Sequence, residues 1–388
     1  MMKKTVLRGI TWEHSRAITP LFACAQRFNE LHPDVEIIWT KRTLQEFADF
    51  PVESLVENYD LLIIDHPWAG TAAATQCVLP LNKYLPEKLL KNLQENSVGR
   101  SHQSYEYAGN QWALAIDAAA PVASYRADLF LKFNRKLPTN WEGLIDLARE
   151  GKVAMAGIEV DLVLHFFMFC IAEGEYPFLS DDELVSLVKG REALKSMYRL
   201  WSLCDKEIFD LNPIRVAEKM TTSDKYWYCP FAFCYSNYSR DGFAEKQLVY
   251  CDLISYKQFG PLISTLGGAG LAISAFSQNR KTCLSFAEWV MSPIIQKTLY
   301  AEHGGQPGHR TAWTSEKLNG YINNFFLNAL PTIDRAYVRP RYHGFLHFQD
   351  NAGRIIREYL MNGGDEKMVI EKLNILYFES LLIRNSVP

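Results

Sequence analysis

Several short stretches carry side chains that could do chemistry on a small molecule. Asp65, His66 and Trp68 follow a near-continuous apolar run, Leu61-Leu62-Ile63-Ile64. Such a run suits a strand buried on both faces of a parallel sheet. Ligands of open α/β sheets bind at the carboxyl ends of their strands, which is where these three residues fall. Trp12, His14 and Arg16 follow a first strand over 6–11 and bring the same kinds of group. Residues 225–235 form the most aromatic stretch; Trp227, Tyr228 and Tyr235 are its candidates for stacking on a ligand face, with core packing competing for each. Asp117 ends a strand over 111–117, either as a ligand acceptor or as a hinge-stabilising hydrogen-bond partner. Arg310, Arg339 and Arg341 are planar bidentate donors suited to a carboxylate or phosphate, provided they face a binding site; the alternative is a clamp between parts of the chain. Tyr342 lies in the same basic and aromatic loop. Gly267 and Gly268, and the 304–308 turn that holds Gln306, can bring backbone N–H groups close to a ligand because glycine has no Cβ.

Nucleophilic chemistry has one candidate. Cys77 is the cysteine nearest in sequence to His66 and Asp65, and a thiolate beside a base is a nucleophile. The three do not form a recognisable catalytic motif. Cys229 and Cys234 are not spaced as a C-x-x-C redox or zinc pair. The sequence holds no phosphate-binding loop, dinucleotide fingerprint or metal-ligand cluster, so no cofactor and no metal are expected.

The elements that must position these groups alternate between strand and helix. Strands are expected over 6–11, 35–40 and 59–65, with helices over 19–31 and 47–57 between them, an arrangement that makes the strands parallel. Thr19 and Pro20 read as cap and first residue of the first helix. Asn140 caps a helix over 143–149, and 162–173 is an apolar helix in which His165 reads as a core histidine. Ser180 with Glu183 reads as a capping box for helices over 181–203. Gly267-Gly268-Ala269-Gly270 reads as a tight turn into a strand over 271–275, followed by one long helix over 281–300. Helices over 353–362 and 365–384 close the chain.

Composition narrows the class. The chain has 388 residues and 44.5 kDa, enough for two domains. A hydrophobic share of 48% with 22% charged describes an ordinary globular protein, and a formal charge of −3 gives no electrostatic case for nucleic acid. No apolar run approaches the ~18 residues of a membrane-spanning helix. Met1-Met2-Lys3-Lys4 is basic, but Arg8 stands where a signal peptide would be apolar. With eight scattered cysteines, this favours a cytoplasmic location, or a periplasmic or extracellular one if a signal peptide has been removed.

Ordered motifs add a resemblance. Phe28, Pro33, Val35 and Ile37 fit F-x-x-x-x-P followed by V-x-V, and Pro80-Leu81-Asn82 fits P-L-[DN]. Leu137-Pro138 with Trp141-Glu142 fits L-P-x-T-W-[DE], although Thr139 stands one place early. Gly267, Gly268, Leu271, Ala272 and Ile273 fit GG-x-x-L-A-I; Phe286, Ala287, Trp289 and Val290 fit F-A-x-W-V; Gly304, Gly305 and Pro307 fit G-G-x-P. In this order, over nearly the whole chain, they resemble the extracellular solute-binding protein family 1 of bacterial ABC transporters. Ala115 departs from the family's A-L-P. The resemblance implies an α/β, two-lobed periplasmic-binding-protein-like fold of type II with a ligand cleft between the lobes. It implies one lobe from 1–117 with 262–315 and a second from 118–261 with 316–388. It further implies hinge closure around a small polar, sugar-like ligand, with an ABC permease as partner; the three arginines would suit an organic anion instead, and a monomer is expected. The alternative is a cytoplasmic enzyme or ligand sensor on the same fold, such as a thiaminase-like Cys-dependent transferase.

Overall fold

The computed structural model describes residues 4–49, 51–257 and 260–385. β1 (Thr5–Trp12), α1 (Ser15–Leu31) and β2 (Val35–Arg42) form the expected parallel unit, in register from Thr5 opposite Val35 to Trp12 opposite Arg42. β3 (Leu61–Ile64) pairs parallel with β1 and is buried along its whole length. α2 (Trp68–Thr75) follows, and β4 (Leu114–Ala119) runs to Ala120, where the chain leaves the first sheet for β5 (Pro121–Tyr125) of a second. α3 (Trp141–Arg149), α4 (Glu159–Ala172), α5 (Leu187–Trp201) and α6 (Pro213–Thr222) come next. β6 (Tyr228–Phe233) and β7 (Val249–Cys251) flank β5 antiparallel in the order β6-β5-β7. β8 (Gly267–Ile273) then returns to the first sheet, whose order is β2-β1-β3-β8-β4, with β8 antiparallel to both neighbours. α7 (Arg280–Val290), α8 (Phe345–Asn362) and α9 (Glu366–Asn385) complete the main frame.

The two-residue period of a strand explains the first sheet's two faces. Leu61, Ile63, Leu271 and Ile273 join one core with Phe28, Phe286 and Val290 from the covering helices. Leu62, Ile64 and Ala272 point the other way, into a core with Trp68, Tyr105 and Trp112. The second sheet packs into a separate, larger core centred on α4, where Phe166, Phe167, Met168 and Phe169 are all fully buried. A helix that is apolar all round belongs inside. Among the described residues no helix is long and apolar enough to cross a membrane.

Several local expectations are corrected. α1 starts a turn before Thr19, because the His14 ring caps it: Nδ1 accepts the Arg16 N–H at 3.0 Å. Pro20 lies inside the helix, where its missing N–H removes one helix bond. The expected helix over 47–57 is two pieces, Leu44–Asp49 and a single 3-10 turn at Val52–Ser54, divided at Pro51. Ser186, not Ser180, caps α5. The long helix over 281–300 ends at Val290; Pro293 forces Ser292 into an extended conformation, and Pro293–Ile295 and a π-turn at Gln296–Tyr300 follow separately. Gly267 and Gly268 are not a turn but the first residues of β8, and the strand ends at Ile273, short of Ala275. Side chains do not fit there. A Cβ on Gly267 would stand 2.5 Å from the Phe233 ring, and one on Gly268, whose φ is +102°, would stand 2.4 Å from the Asp117 carbonyl oxygen.

Candidate functional site

A cavity of about 230 Å³ opens where the carboxyl ends of the parallel strands face the second sheet. Trp12 reaches it from the end of β1 and Arg16 from the first turn of α1, Thr43, Leu44 and Phe47 after β2, and Asp65 after β3. Gly267 and Gly268 form its floor at the start of β8. Ile158, Val160, Asp161 and Leu164 come from the first turns of α4 and the residue before it, Asn212 and Pro213 from the start of α6, and Phe233 and Tyr235 from the end of β6 and beyond; Arg339 closes the wall. Residues from both sheets' ends therefore meet in one space, the usual place for a ligand in open α/β sheets.

One buried and one partly buried ion pair frame the cavity. The Arg16 guanidinium donates from Nε to Asp117 Oδ2 at 3.0 Å, from Nη2 to Asp117 Oδ1, and from Nη1 to the Cys234 carbonyl oxygen. It also lies over the Tyr235 ring, 4.9 Å from its centroid. Arg16, Asp117, Cys234 and Tyr235 thus tie α1, β4 and the segment after β6 together. Burial opposes charge on Arg16, and the adjoining Asp117 carboxylate overrides it, so the guanidinium is held charged above its ordinary pKa. Across the cavity, Arg339 Nη2 donates to both oxygens of Asp65 at 2.7 Å, and Nη1 to Gln349 Oε1 at 2.9 Å. Burial would raise the Asp65 carboxyl, but Arg339 and His66 hold it well below the usual carboxylate range.

The third acid has no such partner. Asp161 is buried in the first turn of α4, and its Oδ2 makes no hydrogen bond among the described residues. Burial pushes its carboxyl up to about 7. Two N–H groups of cavity residues, Trp12 Nε1 and Arg339 Nε, are also buried without partners among the described residues. The wall also carries the side chains of Thr43, Asn212 and Tyr235 and the backbone of Gly267 and Gly268, so it offers a ligand polar as well as apolar contacts.

Of the residues expected from sequence to bind, Trp12, Arg16, Asp65, Tyr235, Gly267, Gly268 and Arg339 line the cavity. The others are placed elsewhere. His14 caps α1 and packs edge-on against Tyr235; burial and then Arg16 push its pKa down to about 4. His66 is fully buried behind Asp65, its Nδ1 3.5 Å from Arg339 Nη2. Trp68 is not in a loop; it opens α2 and packs into the core with Ile64 and Trp112. Asp117 serves Arg16 rather than the cavity wall directly. Trp227 stacks on Phe133 at 4.9 Å, and Tyr228 is a buried residue of β6, so neither offers a face. Gln306 joins the sheets: Nε2 donates to the Ala118 carbonyl oxygen at 3.1 Å, and Oε1 accepts the Ser236 N–H at 2.8 Å. Arg310 pairs with Asp334 and the Ser97 carbonyl oxygen, while Arg341 donates to the carbonyl oxygens of Gln103 and Glu106. Tyr342 Oη lies 2.7 Å from Ser380 Oγ. Cys77 is buried, pushed up by burial, and acted on by Thr75 and Glu53 rather than by His66 or Asp65. It is not an activated nucleophile.

Sequence reasoning missed Asp161, Phe47, Asn212 and Phe233. Asp161 gives a signal that can be found, a carboxylate at the start of an otherwise apolar helix, but its helix begins earlier than expected.

No protein-family model and no curated protein matches the chain. Solved structures do. A maltose-bound MalE3 from T. maritima is similar with a TM-score of 0.81 at 17% identity, covering 96% of this chain and 99% of that one. A solute-binding protein from Agrobacterium radiobacter K84 in complex with ribitol has a TM-score of 0.79 at 17% identity, covering 97% and 98%. The substrate-binding protein Lmo0181 from Listeria monocytogenes, in complex with cycloalternan, has 0.81 at 12%, covering 98% and 100%. Over their whole length these likenesses establish the two-lobed α/β fold of ABC-transporter solute-binding proteins, as expected from the sequence.

Proposed function

We propose that this chain is a solute-binding protein that closes its lobes around a small polar, sugar-like ligand and serves ABC-type uptake. The observation that carries the proposal is the cavity itself. It lies at the carboxyl ends of β1, β2 and β3, draws residues from both sides, and combines the aromatic rings of Trp12, Phe47, Phe233 and Tyr235 with the polar side chains of Thr43, Asn212 and Asp161. The similar structures with bound maltose and ribitol support the ligand class. An organic anion fits less well, because Arg16 and Arg339 are each occupied by a carboxylate and Arg310 and Arg341 are bonded elsewhere. Hinge closure would follow differential affinity for the closed state.

A thermal shift screen of the purified protein against sugars, polyols and organic acids tests the proposal. A ligand at 100 times its Kd adds ~2.7 kcal/mol of stability. A hit among neutral or substituted sugars and polyols supports it; hits confined to organic acids, or none in any class, count against it.

A further inference from the structure

We infer that Asp161 selects for a ligand carrying a protonated amine, so that the cavity's solute is an aminated sugar or polyol rather than a neutral one. This rests on the proposed binding function and names the ligand class within it. The arginines of the wall are already taken. Arg16 and Arg339 contribute two positive charges, and Asp117 and Asp65 answer each of them through two hydrogen bonds. Asp161 is left over: neither arginine of the wall bonds to it.

The first turn of α4 gives Asp161 only the helix dipole, and no basic side chain pairs with it among the described residues. Its neighbours along the wall are Ile158, Val160 and Leu164. Glu159, two residues before it, already pairs with Arg354 at 3.4 Å. His165, one turn on, is buried among Trp201 and Phe231. A carboxylate buried without a countercharge is among the costliest arrangements a protein interior can hold. A hydroxyl from a neutral sugar would supply a hydrogen bond but leave the charge; an ammonium supplies both. Thr43, Asn212 and Tyr235 also line the cavity and carry polar groups for the hydroxyls of the same ligand.

Matched pairs test this by calorimetry at pH 7: D-glucose with D-glucosamine, D-galactose with D-galactosamine, D-sorbitol with D-glucamine, each on the wild type and on Asp161→Asn. Thermal melts of both proteins establish that the variant folds. The expected result is that, in at least one pair, the aminated member binds roughly tenfold or more tightly than its neutral partner, and that Asp161→Asn abolishes the preference. Neutral members that bind as well or better, with affinities unmoved by the substitution, would overturn the inference and leave the binding function standing. A preference for the amine that survives Asp161→Asn would also overturn it. Failure of every member of every pair to bind would count against both.

Discussion

Asp161→Asn should make the protein more stable, by an amount that grows as pH rises from about 4 to about 7. The asparagine side chain matches the shape of a protonated carboxyl, so the substitution isolates the charge. Burial displaces the folded-state pKa from 3.8 to about 7. Between those values the folded chain holds a proton that the unfolded chain has released, so stability falls as pH rises through that window. The penalty is absent below about pH 4 and complete above about pH 7, where the displacement corresponds to about 4 kcal/mol. An unfolding entropy of about 2.1 cal/mol/K per residue over the chain makes 1 kcal/mol worth about 1 °C. The variant should therefore melt about 4 to 5 °C above wild type at pH 8 and within about a degree of it at pH 4.5. Buried histidines such as His66, held down to about 4, titrate in both proteins and cancel in the difference. Calorimetric melts of both proteins from pH 4.5 to 8.5, without ligand, read the effect directly. Parallel melting curves across that range would refute the reasoning, because they would mean that Asp161 is solvated or paired.

Other parts of the site give separate tests. Arg16→Met leaves Asp117 buried without its partner and should cost about 3–5 kcal/mol in urea unfolding, with Asp117→Asn in the same chain recovering part of it. Gly268→Ala places a Cβ 2.4 Å from the Asp117 carbonyl oxygen at a φ of +102°; a loss of about 2 kcal/mol or more, together with weakened ligand binding, is expected from melts and calorimetry. Trp227→Ala should lower stability by about 3–5 kcal/mol while leaving ligand affinity unchanged, since the indole packs on Phe133 and lies outside the cavity. Cys77 should react slowly with N-ethylmaleimide in the folded protein, at a rate that rises steeply on adding denaturant.

What can be read from sequence is what depends on neighbours along the chain. The apolar run 61–64 announces a buried strand, and the end of that run is enough to put Asp65 at the sheet's carboxyl edge, where the cavity lies. Asn140 caps α3 as expected, because its amide needs only the N–H of Gly143, three residues on. Local signals fail where a local rule has two causes. Glycine at 267 and 268 suggests a turn, yet the requirement is room for the Phe233 ring and the Asp117 backbone, which lie 34 and 151 positions away in sequence. Histidine is an uncommon helix cap, so the start of α1 is hidden behind the more familiar Thr19-Pro20.

The charged residues show the limit most clearly. Arg310, Arg339 and Arg341 are chemically identical, and nothing beside them in sequence separates their roles. Asp334 takes Arg310, the carbonyl oxygens of Gln103 and Glu106 take Arg341, and Asp65, 274 positions before it, brings Arg339 into the cavity wall. A charged side chain is available to a ligand only if the fold leaves it without a partner, and that is a tertiary property. By the same criterion the arginines drop out as ligand groups and Asp161 comes forward. It is the cavity acid left without a partner among the described residues, and an ammonium beside it would supply the countercharge it lacks.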